Sequence, residues 1–251
     1  MLATGALGIL LLTAARVHPL FARRAPVVQQ ILRHAYVDST TMRAPWLVSP
    51  AELAITTPQF LADRERFARD LLRTGKVTET RAWRLADVAV KESYRRRVPP
   101  ALVLGVMLTE NDELKSSARS HVGAVGLMQV LGRHWRDALG PKFGTDLRND
   151  TTNLRYGIFI LSYMARRVAA EASDSADAQP GAAVPDSSWR KMLLGYNGCV
   201  QGRNTRDCHA YPSTVQRNVV SKARTTCAGR DFYDCVAKPL WLAMRADAEP
   251  Q

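Results

Sequence analysis

The chain has 251 residues, 46% of them hydrophobic and 23% charged, with a formal net charge of +12 at pH 7. That length and balance suit one or two domains with a buried core, and nothing in the composition suggests disorder. The basic excess favours an acidic partner such as nucleic acid, anionic lipid or a wall polymer, but no helix-turn-helix, zinc-finger or RNA-binding signature selects nucleic acid.

At the start, Leu2 to Ala15 is an apolar run of 14 residues rich in Gly, Ala and Leu. A bilayer span needs about 20 residues and the apolar part of an export signal about 7–15, so the length favours a signal peptide. Thr13-Ala14-Ala15 offers small residues for cleavage. No Lys or Arg precedes the run, while Arg16, Arg23 and Arg24 follow it, a polarity that also fits an uncleaved anchor. A buried core helix is the third reading. Residues 1–25 are therefore expected to form a signal peptide or membrane anchor, with membrane attachment through residues 2–15.

Helical signals dominate the rest. Val27, Val28, Ile31, Leu32 and Ala35 recur at helical spacing, and Ser49-Pro50 and Thr57-Pro58 read as caps followed by proline in the first turn. Phe60, Phe67 and Leu71 mark one face of a helix from Pro58 to Thr74, stopped by Gly75. Thr78 caps a second helix ending near Arg97, and Asn153–Ala172 reads as another with Ile158, Leu161 and Met164 inward. Ser173–Ser188 lacks periodicity and is expected to be a flexible surface insertion. Helix resumes at Trp189 and again from Pro212. Strand-like alternation is absent, so the expected class is all-α.

The four cysteines, Cys199, Cys208, Cys227 and Cys235, all lie late in the chain. Their spacings suit local bridges Cys199–Cys208 and Cys227–Cys235, although four cysteines allow three pairings. Zinc prefers closer pairs, and free buried thiols are the bland alternative. Two disulfides would point to an oxidising compartment. The five His residues (His18, His34, His121, His134 and His209) lack ligand spacing, so no metal and no cofactor are expected.

One stretch organises the chemistry. Pro100 opens the apolar run Ala101–Leu108, which ends on Thr109-Glu110-Asn111. Apolar Leu104, Met107 and Leu108 beside Glu110 would disfavour its charged form and raise its pKa, keeping it a proton donor near neutral pH. Taken alone, Glu110 could equally be an ordinary solvated residue at a helix end. Three further blocks follow in order: Gly123-Ala124-Val125-Gly126-Leu127-Met128-Gln129; Asn153-Leu154-Arg155-Tyr156-Gly157 with Leu161; and Gly195-Tyr196-Asn197-Gly198 followed by Tyr211 and Val215.

Their order and spacing resemble the lytic transglycosylase SLT domain of the lysozyme-like superfamily, over residues 88 to 222. Gly-Leu-Met-Gln at this distance from a helix-terminal Glu is the specific part. Four features depart from the family pattern: Asn111 stands where Ser is usual, Glu113 where an aromatic residue is frequent and Leu154 where Ile is usual, and the segment between Glu110 and Gly123 is one residue longer than in the commonest version. The resemblance implies an all-α lysozyme-like catalytic domain at 88–222, preceded by a helical region at 26–87 and followed by a disulfide-stapled segment at 223–251.

It also implies a mechanism in which a single acid, Glu110, cleaves the glycan of peptidoglycan and leaves a 1,6-anhydro end. Asn111, Gly126, Met128, Gln129, Tyr196, Asn197 and Tyr211 are its implied substrate-binding residues. Gly123 and Gly126 would let the backbone approach the sugar, and Tyr211 would hydrogen-bond to Glu110 or the acetamido group. Met128 and Tyr196 could as well be packing residues. The protein would be exported, periplasmic or bound to the cell envelope, and a monomer. Two rival functions share the pattern. A hydrolase would need a second carboxylate, with Asp112, Glu113 and Asp137 as candidates, and a non-catalytic wall-binding module would need none.

Overall fold

A computed structural model describes residues 57–173, 186–199 and 206–248. The expectations for residues 1–56, including the signal or anchor, and for most of the 173–188 insertion fall outside these residues. The described chain is helical: α1 (Pro58–Arg73), α2 (Glu79–Arg96), α3 (Pro100–Glu110), α4 (Gly132–Phe143), α5 (Asp150–Ser173), α6 (Asp186–Asn197), α7 (Arg206–Lys222), a π-helical turn (Tyr233–Ala237) and α8 (Lys238–Ala248). Only isolated β-bridges, Arg119 to Val125 and Val125 to Val130, interrupt the helical pattern among the described residues. No described helix is long and apolar enough to cross a membrane.

The capping signals act as the sequence suggests. Thr57 accepts from the Phe60 N–H at 3.2 Å, and Thr78 accepts from the Arg81 N–H at 3.4 Å. Each satisfies one of the donors that a helix start leaves unpaired. Arg97 closes α2 in the left-handed conformation at φ 53°. Two helix starts and one whole helix were not foreseen. α6 starts at Asp186, inside the predicted insertion, and α7 starts at Arg206 and carries Pro212 within it. The third is α4, whose exposed Arg, His and Lys residues leave little apolar periodicity to read.

Helix α3 is the axis of the fold. Every residue from Pro100 to Leu108 is buried, so the helix is apolar all round and must be enclosed by others. It packs against α7, α2, α1 and the π-helical turn. Its approach to α7 depends on Gly105, where a Cβ would lie 2.5 Å from Val219 Cγ2 and 3.2 Å from the Val215 carbonyl. Any side chain there would push α7, and with it Tyr211, away from the end of α3. One apolar core runs from Phe60 to Ala243. Truncating a fully buried member such as Leu104 to Ala is expected to cost about 2–5 kcal/mol.

The C-terminal segment is tied to this core by a buried carboxylate. Asp70 on α1 accepts from the Thr225 N–H at 3.2 Å, and from the Thr226 N–H at 2.7 Å and its hydroxyl at 2.8 Å. Of the possible cysteine pairings the structure has the two local ones, Cys199–Cys208 and Cys227–Cys235.

Candidate active site

The end of α3 delivers Glu110 to a partly open position while the residues before it are sealed in the core. Two tyrosines from other helices meet it there. The Tyr211 hydroxyl, on α7, donates to Glu110 Oε1 at 2.5 Å. Tyr196, on α6, lies close enough for the Glu110 charge to act on it, and its own hydroxyl donates to the Met128 carbonyl at 2.8 Å. Burial, and then the charge of Glu110, hold both phenols well above their usual pKa. Both therefore remain hydrogen-bond donors at any ordinary pH.

Burial pushes Glu110 up from 4.5 to about 7, and the Tyr211 hydrogen bond offsets part of that rise by favouring the carboxylate. The negative end of the α3 dipole works in the same direction as burial. Among the described residues, no cation and no second carboxylate contributes to the shift. The carboxyl is therefore poised, close to half protonated at neutral pH, which suits a group that must first give a proton and then take one.

The loop from Asn111 to Leu131 forms the wall next to the acid, and it is held by side-chain amides rather than by strands. Asn111 is buried. Its Nδ2 donates to the Lys115 carbonyl at 2.7 Å and the Gly126 carbonyl at 3.2 Å, while Oδ1 accepts from the Lys115 N–H at 3.2 Å. Asn153, at the start of α5, accepts from the Met128 N–H at 2.8 Å and donates to the carbonyls of Val125 and Leu147 at 2.8 and 2.9 Å. Gln129 sits at φ 45°, in the left-handed region. Its amide nitrogen donates to the Gly126 carbonyl at 2.8 Å and the Ala118 carbonyl at 3.4 Å. A non-glycine residue in that region costs on the order of 1–3 kcal/mol and persists only where its surroundings impose it.

These contacts engage several of the residues expected to touch substrate. Gly126 is buried, with φ +83°, and a Cβ on it would lie 2.3 Å from Asn153 Nδ2. The absence of a side chain there admits the Asn153 amide. The Met128 side chain is fully buried on Gly157, where a Cβ would lie 2.3 Å from its Sδ. It has no surface with which to touch a ligand, and serves the site through its carbonyl, which fixes Tyr196. Asn111 has both ends of its amide committed to the loop. Gln129 is half-buried and Asn197 is exposed at the end of α6. Glu110, Tyr196 and Tyr211 are thus brought together, with Gln129 on the loop below them.

The disulfide Cys199–Cys208 joins the end of α6 to the first turn of α7, close in sequence to both tyrosines. Two supporting residues escaped the sequence reading. Asn153 lies within a recognised block but its bonding role was not evident; a buried amide opening an apolar helix is the signal that could have exposed it. Asn218, whose Nδ2 donates to Thr109 Oγ1 at 2.9 Å, holds the end of α3 to α7. No group of three or more His, Cys, Asp or Glu side chains able to hold a metal occurs among the described residues.

Residues 87–211 match the family model described as Transglycosylase SLT domain. No curated protein and no solved structure matches the chain.

Proposed function

Residues 87–211 belong to the transglycosylase SLT family, whose members act on peptidoglycan, and from that premise we propose that the protein is a lytic transglycosylase using Glu110 as its only acid and base. The bond cleaved is the β-1,4 link from N-acetylmuramic acid to N-acetylglucosamine. The observation that carries this reading is a carboxyl raised to about 7 by burial, held by Tyr211, with no carboxylate partner beside it among the described residues.

In the first half, protonated Glu110 gives its proton to the glycosidic oxygen as the bond from C1 of the muramic residue to that oxygen breaks. The leaving sugar departs with a new hydroxyl. The cation-like C1 centre is assisted by the substrate's own 2-acetamido group. In the second half, Glu110, now a carboxylate, takes the proton from the C6 hydroxyl of the same muramic residue. O6 then bonds to C1, closing the 1,6-anhydro ring, and Glu110 regains its proton without consuming water. Tyr211 stabilises the carboxylate between the two halves while occupying only Oε1, leaving Oε2 for the substrate. Gln129 and Asn197 would hydrogen-bond to the sugars, and Tyr196 would form a wall of the groove.

The hydrolase alternative requires a second carboxylate, and the candidates are poorly suited. Glu113 is exposed and bonded to Lys76 at 2.5 Å, and Asp112 and Asp137 are also exposed. A reading as an exported cell-envelope enzyme follows from the substrate and from the two disulfides. Digestion of purified sacculi followed by mass analysis tests the reaction. Anhydro-muramic ends are expected, and reducing ends would establish a hydrolase instead. Glu110→Gln should lower turnover by ~10²–10⁴-fold while binding is retained.

A further inference from the structure

The loop that carries Gly123 to Gln129 has a second face, turned toward α4 and the turn before α5. Here Arg119, Arg133, Arg136 and Arg148 line an open cleft of about 980 Å³, and Asp146 is the only acid in its lining. Four positive groups against one negative leave +3 in the cleft. All four arginines are exposed. Arg148 is turned to Asp146, Nε to Oδ1 at 3.6 Å, and Arg133 donates to the Val122 carbonyl at 3.5 Å. The guanidinium groups of Arg119 and Arg136 have no hydrogen-bond or ion-pair partner among the described residues.

Local structure explains the convergence. Arg133 and Arg136 are separated by one turn of α4 and so share a face. Arg119 is fixed by its antiparallel bridge to Val125, and Val125 pairs in turn with Val130. The Gly126 N–H donates to the Ala118 carbonyl at 2.9 Å, and Gln129 reaches the same carbonyl. Arg119 therefore stands on the same small loop that positions Gln129 and, through the Met128 carbonyl, Tyr196. The cleft and Gln129 thus share one loop, whose Arg119 and Val125 line the cleft.

Isolated surface charges contribute little, but several guanidinium forks facing one cavity match the geometry of carboxylates, which each fork can hold by two parallel hydrogen bonds. The amides and hydroxyls of a glycan are neutral near pH 7. The negative charge of a peptidoglycan strand resides on the carboxylates of its peptides. We propose that this cleft is a subsite for the carboxylates of the peptide stems borne by the glycan, an inference that rests on the lytic-transglycosylase reading. It would make the enzyme prefer strands that still carry their peptides over stripped glycan.

The test compares soluble stem-bearing glycan chains with the same chains freed of peptide by an amidase and capped as amides at the lactyl carboxylates this exposes, using the full chain and the double variant Arg119→Gln, Arg136→Gln. The variant's thermal unfolding is followed alongside, to show that it is folded. The expected result is a rise of about tenfold in KM on stem-bearing chains with kcat unchanged, and no change on stripped chains. An equal effect on both substrates, or none on either, would overturn the subsite while leaving the reaction intact. Phosphate-bearing wall polymers are the other anion source, so sacculi are also assayed before and after acid removal of phosphodiesters. An effect of the variant that vanishes with the phosphate would overturn the assignment to stems. Failure of the unmodified protein to cleave any of these substrates would remove the lytic-transglycosylase reading, and the subsite with it.

Discussion

Two glutamates largely shielded from solvent, one fully buried and one at the edge of the core, have opposite surroundings. Glu92, on α2, is 3% exposed and faces three arginines: Arg95 Nη1 and Arg155 Nε reach Oε1 at 3.2 and 3.5 Å, and Arg96 Nε reaches Oε2 at 3.4 Å. Glu110 faces two tyrosines and, among the described residues, no cation. Arg96 is itself held between the rings of Phe143 and Phe159, at 5.3 and 4.9 Å, so the first cluster ties α2 to α4 and α5. A buried carboxylate surrounded by cations is a joint between helices. One surrounded by greasy residues and phenols is free to exchange a proton. The difference lies in the neighbours, since the two side chains are the same.

Exchanging amide for carboxylate at each place should separate the two roles. The largest effect is expected on turnover, from Glu110→Gln, as given above; Glu92→Gln should leave kcat of the folded enzyme unchanged. On stability the order reverses. Removing the Glu92 charge leaves three guanidinium groups with no anion between them, at a cost of about 2–3 kcal/mol, below the usual range for a broken buried pair because Arg95 and Arg155 retain solvent. The urea midpoint measures it, and an unchanged midpoint would erase the distinction.

Glu110 should instead cost stability as it ionises. Its folded pKa is raised from 4.5 to about 7, so the native state is fully favoured below 4.5 and loses ground as pH rises through 7. A shift of that size corresponds to about 3 kcal/mol at most. Glu110→Gln has no such group, and its urea midpoint should match the parent near pH 4 and exceed it near pH 8. The smallest expected effect is that of Tyr211→Phe. The Tyr211 hydrogen bond lowers the Glu110 pKa, so its loss should move the basic limb of the pH–activity profile upward. A limb that stays in place would separate Tyr211 from the acid.

The parts of this arrangement that depend on local pattern were legible in the sequence. Pro100 followed by unbroken apolar residues specifies a buried α3, and the Thr57 and Thr78 caps mark their helix starts. What pattern cannot give is direction. Gly126, Met128 and Asn111 belong to the recognised blocks, yet each turns inward: glycine to admit Asn153, methionine to fill the space over Gly157, and Asn111 to close its own turn. These roles depend on α5 packing against the loop, which no short window of sequence contains. The Glu92 cluster was invisible for the same reason, since Arg155 approaches only when α2 and α5 meet. The cysteine pairing was open by counting alone and is settled by how close α6 and α7 come.

The proton affinity of Glu110 can be measured directly, by following its side-chain carboxyl carbon by NMR as pH is varied, with Glu110→Gln to assign the signal. A midpoint near 7 is expected. A midpoint near 4.5, the value of a solvated glutamate, would contradict a buried acid kept neutral for catalysis.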